Sequence, residues 1–157
     1  LLEPVNKRWR IFKFLGGFPL AAYENNLPST GVVDRLQIAQ YPSGVGELEL
    51  HSDPYLNQKI AISGIMSKRG MDYKTGGAYI LNSNKEKIDV EDDMDIGDIY
   101  LVYPTVFHGV ETIDRGNEVD WSSFSGRWFM GLYSNASDCY AKRHTCYGVE
   151  DRVLSGG

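Results

Sequence analysis

A chain of 157 residues with 16 Lys and Arg against 21 Asp and Glu carries a net charge of -5. That balance excludes a nucleic-acid binder, because neutralising phosphates takes clustered cations and the pairs Lys7-Arg8, Lys68-Arg69 and Lys142-Arg143 are scattered. No run approaches the ~18 apolar residues that suggest a membrane span, so a single soluble domain over 1–157 with a small-molecule partner is expected, its oligomeric state open.

The first residues, LLEPVNKRWR, lack the apolar core of a signal peptide and begin with Leu, so the natural N-terminus is expected to lie outside this numbering. Residues 1–31 mix an amphipathic stretch with Gly16-Gly17 and prolines, which predicts helical segments packed across the outside of a β core. From Val32 onward strand signals dominate. VVDRLQIAQY, GELELHSD, QKIAISGIM, GGAYILN, DIYLVY, HGVETI and RWFMGLYS are short, rich in β-branched and aromatic residues, and bounded by Pro, Gly, Asn and Asp. Such spacing predicts an all-β sandwich or barrel.

Between those strands, MSKRGMDYKTGGAY (66–79) reads as a polar hairpin, with Lys68, Arg69 and Tyr73 as weaker substrate-contact candidates. VEDDMDIGD (90–98) fails the EF-hand pattern and reads as a solvated acidic turn. Tyr100, Tyr103, Trp121 and Trp128 are expected to pack rather than to hold substrate. Residues 134–157 read as a tail or a short docking helix. Within it, Cys139-x4-His144-x-Cys146 matches no zinc spacing, two ordinary thiols fit a cytoplasmic protein, and Asn135-Ala-Ser137 is a chance sequon.

The chemistry concentrates in GELELHSDP, 46–54. Along a strand, residues two apart share a face, so Glu47, Glu49, His51 and Asp53 would point one way and Leu48 and Leu50 the other. An imidazole and a carboxylate aimed into an interior are costly unless paired or bound to a cation. A metal satisfies both, and His108 in PTVFHGV supplies a third ligand. Two histidines and one carboxylate on one side of an ion match the facial triad of non-haem iron(II) oxygenases. Further on, Arg127 shares a face with Phe129, Gly131 and Tyr133, and a guanidinium inside an apolar interior requires an anion opposite it. The carboxylate of a small ligand would suit it in bidentate fashion.

His51-x-Asp53, His108 and Arg127, in that order, resemble the 2-oxoglutarate- and iron(II)-dependent oxygenase superfamily, in its prolyl-hydroxylase-like branch. QYPSGVGELELHSD resembles that branch's Tyr-x-Pro-Gly segment ahead of the His-x-Asp strand, Gly76-Gly77 its Gly-Gly before the next strand, and DIGDIYLVY its Gly-Asp strand before the distal histidine. The similarity covers about residues 36–133. It implies a double-stranded β-helix, a cupin-like jelly roll with flanking N-terminal helices. It further implies iron(II) held by His51, Asp53 and His108, and 2-oxoglutarate bound through Arg127 with Tyr41 nearby. The implied reaction consumes O2, releases succinate and CO2, and hydroxylates, desaturates or cyclises an unactivated C–H of a small substrate. Asp53 in the place where halogenases carry a small residue favours hydroxylation.

Two departures accompany it. The stretch ETIDRGNEVDWSSFSG between His108 and Arg127 is long, making Arg115 a competing anion partner, and QKIAISGIM lacks a tyrosine that some relatives use against 2-oxoglutarate. Glu49, on the expected metal-facing side, is a candidate for pairing with a cationic substrate group, unless a bulge leaves it in water. A cupin-type metal enzyme without 2-oxoglutarate and a non-catalytic jelly-roll binding module are the alternatives.

Overall fold

The computed structural model describes residues 7–12, 32–53, 60–136 and 147–148. The described strands are β1 (Val32–Pro42), β2 (Leu48–Ser52), β3 (Ala61–Ile65), β4 (Gly77–Leu81), β5 (Lys87–Asp89), β6 (Ile99–Val102), β7 (His108–Glu111), β8 (Gly126–Ala136) and β9 (Tyr147–Gly148). They form two sheets of order β1-β8-β3-β6 and β5-β4-β7-β2-β9, with every pairing antiparallel. The expected all-β core is present. All seven stretches that carry strand signals in the sequence are strands, and the paired core runs from 32 to 136 rather than over 36–133. β5 is three exposed residues, too short for an alternation to register. β9 is two residues and places part of the expected tail beside β2.

Only β4 and β5 pair with their chain neighbour; elsewhere the chain passes from one sheet to the other. Residues remote in sequence therefore meet, as Tyr41 meets Arg127 across β1 and β8, and His51 meets His108 across β2 and β7.

The four-stranded sheet β1-β8-β3-β6 has two distinct faces. On its outer side Ile62 and Leu132 are buried under Trp9, with Phe12, Leu36, Ile60 and Ile99 around them. The helical residues 7–12 thus cover this sheet from outside, as the amphipathic N-terminal stretch predicts. Complete burial of Ile62 contributes roughly 1.5–3 kcal/mol. On the inner side a second cluster fills the space between the sheets: Tyr73, Ala78, Val110 and Ile113, with Tyr41, Val90 and Tyr100 packed against it.

The hairpin segment after β3 and the acidic run after β5 are fastened together. Lys68 pairs with Asp95 at 2.6 Å, and Arg69 with Asp89 and Asp92 at 2.8 Å each. Asp92, Asp93 and Asp95 are exposed as expected of a solvated turn, but Glu91 is buried. Tyr103 and Trp121 are also exceptions to the packing expected of them, at 59% and 79% exposure. No described helix is long and apolar enough to cross a membrane.

Candidate metal centre

The register of β2 against β7 opposes Leu48 to Val110 but His51 to His108, a slip of one residue between the two pairs. An extra residue on one strand of a ladder reverses the alternation beyond it. Glu47 and Glu49 therefore line an open groove of about 460 Å³ with Tyr79, Lys87, Glu111 and Arg115, while His51 turns to the side of His108. Of the two placements open to Glu49, the bulge rather than the metal-facing side is the one found, and Glu49 is exposed in the groove.

His51 and His108 face each other with ring centroids 4.4 Å apart. In each ring Nδ1 donates to the carbonyl two residues upstream, His51 to Glu49 at 2.7 Å and His108 to Val106 at 2.8 Å. An Nδ1 that carries the proton leaves Nε2 with its lone pair, the tautomer a metal needs. Asp53 stands between them, its Oδ1 3.7 Å from His51 Nε2 and its Oδ2 3.8 Å from His108 Nε2. Its backbone N–H donates to Pro104 O at 2.8 Å, tying the end of β2 to the turn before His108. Burial lowers the His108 pKa against the opposing pull of the Val106 carbonyl and Asp53, and the nearby His51 lowers it further, so the neutral ligand form prevails.

Ligand atoms of His51, Asp53 and His108 all lie within 4.8 Å of one another. Bonds of about 2.0–2.2 Å to one side of an ion hold ligand atoms about 3.0–3.5 Å apart, so one ion is reached when the side chains close by at most about 1.8 Å between any two ligand atoms. The residues fit a first-row divalent cation held from one side. Among the described residues, no other His, Cys, Asp or Glu joins the group.

The chain matches no family model, no curated protein and no solved structure.

Arg127 points inward from β8, opposite Tyr41 on β1. Its guanidinium carbon lies 5.3 Å from the Tyr41 ring centroid and 5.2 Å from that of Phe129, and the residue is 2% exposed. The anion that such a guanidinium requires comes from the chain itself. Nε and Nη2 of Arg127 both reach Glu91 Oε1, at 2.6 and 2.5 Å, and the Tyr73 hydroxyl donates to Glu91 Oε2 at 2.6 Å. Gly77, at φ +128°, makes this possible, because a Cβ there would sit 2.6 Å from Glu91 Oε2 and from Arg69 Nη2. Burial works against the Arg127 charge, but the hydrogen bonds and charge of Glu91 hold its pKa above the usual arginine value.

Three phenols lie between the two charged groups. Tyr41, Tyr100 and Tyr133 interact electrostatically with one another, Tyr133 also with Asp53, and Tyr41 and Tyr100 with Arg127. None of the three hydroxyls makes a hydrogen bond to a described residue. Burial pushes the pKa of Tyr41 up, opposed by Arg127, and that of Tyr133 up as well, so both remain protonated donors.

Of the other candidates, Arg115 lies in the outer groove and donates to Thr112 Oγ1 at 3.0 Å, away from the interior. Lys68 and Arg69 are held in ion pairs, and Tyr73 is buried against Glu91. Cys139, His144 and Cys146 lie outside the described residues. The sequence reasoning missed Glu91, which is camouflaged at the head of an acidic run, and did not assign Tyr133 a place near Asp53.

Proposed function

We propose that the chain is a mononuclear non-haem iron(II) oxygenase acting on a C–H bond of a small organic molecule, with a 2-oxo acid as co-reductant. The observation that carries this reading is the convergence of His51 Nε2, His108 Nε2 and the Asp53 carboxylate from β2 and β7 toward one point, with both Nδ1 atoms committed to backbone carbonyls. The strand orders β1-β8-β3-β6 and β5-β4-β7-β2 support the double-stranded β-helix that the family resemblance implies. So does the position of each group: His51 near the end of β2, His108 opening β7, Arg127 near the start of β8.

When bound, iron(II) with a 2-oxo acid and O2 supplies the oxidising power for C–H cleavage. The chain's residues do the rest. His51, Asp53 and His108 would hold the ion from one side. Tyr41 and Tyr133 provide protonated hydroxyls to orient a polar ligand there, and the Trp9-covered sheet closes the back of the site to water. For 2-oxoglutarate the fit is incomplete: the guanidinium that the resemblance assigns to its far carboxylate is already held by Glu91.

That pair favours a second reading, a cupin-like metal enzyme that uses no 2-oxo acid. One anaerobic titration separates them. Iron(II) plus a 2-oxo acid gives a weak visible absorption band and, on admitting air, decarboxylation in the first case and neither in the second. His108→Ala abolishes both signals if the proposal is right, and survival of either in that variant refutes it.

A further inference from the structure

We infer that Glu91 sets the choice of co-reductant: by neutralising Arg127 from within, it selects a 2-oxo acid that lacks a second carboxylate. This rests on the oxygenase reading above and refines it.

The argument begins with what the guanidinium can still offer. Arg127 uses Nε and Nη2 on Glu91 Oε1, and a buried pair of this kind has little net charge left to attract another anion. Glu91 is itself anchored on its other oxygen by Tyr73, whose phenol is 3% exposed, and its headgroup fills the space left by the missing side chain of Gly77. Seating a second carboxylate against Arg127 requires either placing two carboxylates side by side in a buried site or expelling Glu91 from three hydrogen bonds. Either is costly. The 2-oxo acid head group is unaffected, because the metal ligands and the Tyr133 hydroxyl lie at the other end of the interior, toward Asp53. A monocarboxylic 2-oxo acid thus meets the metal with its chelating end and the apolar surface of Phe129 and the tyrosine rings with its tail.

The test compares 2-oxoglutarate with 2-oxopentanoate, which have the same carbon chain and differ in the terminal carboxylate. Anaerobic calorimetric titration of the manganese(II)-loaded full chain gives both dissociation constants without relying on turnover. In the native protein 2-oxopentanoate is expected to bind more tightly than 2-oxoglutarate. Glu91→Gln frees the Arg127 charge, so the ratio is expected to swing at least tenfold toward 2-oxoglutarate while the manganese affinity stays the same. A purely structural role for Glu91 would weaken both acids alike and leave the ratio unmoved.

Tyr73→Phe keeps both charges and removes only the anchoring phenol. It is expected to move the ratio about threefold in the same direction, and it decides the matter if Glu91→Gln does not fold. Native binding of 2-oxoglutarate as tight as or tighter than that of 2-oxopentanoate, or a ratio that does not rise toward 2-oxoglutarate in the folded variants, overturns the inference and leaves the oxygenase reading standing. Binding of neither acid to the manganese-loaded native protein overturns that reading and this inference with it.

Discussion

Removing one member of the Arg127–Glu91 pair strands the other in the interior, and the structure sets the size of the effect. Arg127 is 2% and Glu91 5% exposed, so little solvent can re-enter to screen a lone charge. Among the described residues, Glu91 keeps only the Tyr73 hydroxyl in Arg127→Leu, and Arg127 keeps no acidic partner within bonding distance in Glu91→Leu. Breaking one side of a buried pair costs about 3–5 kcal/mol. For a domain of this length each kcal/mol shifts Tm by about 3 °C, so each single change lowers Tm by about 9–15 °C. Replacing both residues by Leu removes both desolvated charges together and is expected to cost about 2 kcal/mol or less. Thermal and urea unfolding of the four proteins completes the cycle. Single changes that cost under about 1 kcal/mol, or a double change that costs the sum of the singles, would refute the buried pairing and everything argued from it.

Manganese(II) at a hundredfold excess over its dissociation constant should stabilise the metal-stripped protein by about 2.7 kcal/mol, about 8 °C. Asp53→Ala should reduce that to within about 2 °C at the same metal concentration in a thermal melt. In the metal-free protein the His108 pKa is lowered in the folded state, so below the unfolded value of about 6.5 the unfolded chain holds a proton that the folded one does not. Stability should fall as pH drops from about 6.5 toward the folded pKa, by at most about 1.4 kcal/mol per pH unit for one proton. His108→Gln should remove that component of the slope in urea titrations across pH 5–7.

The strands and the three metal-ligand candidates were legible in the chain because both signals are local. Runs such as QKIAISGIM and RWFMGLYS announce strands by residue type and by the turn residues around them. His51-x-Asp53 needs only strand geometry to place two ligands together. The side taken by Glu49 stays open in the sequence because a bulge in GELELHSD has no residue to announce it: no glycine lies between Leu48 and His51, and the slip is visible only against β7. The reasoning that Arg127 needs an anion was sound about the need and blind to its source. Any of 21 acidic residues could answer it, and the one that does sits in a stretch whose next residues are solvated.

The alternation of the chain between the two sheets bears on how the protein comes into being. The β1–β8 ladder joins Val32 to Ala136, so a chain emerging from the ribosome holds its first strand without a mate until nearly all described strands have been made. Such distant pairings assemble slowly, and the unpaired edge of β1 is exposed to aggregation throughout that wait. Residues 51 and 108 likewise wait for each other, which would make metal capture a late step in biogenesis, and a chain shortened ahead of β8 should never complete the four-stranded sheet.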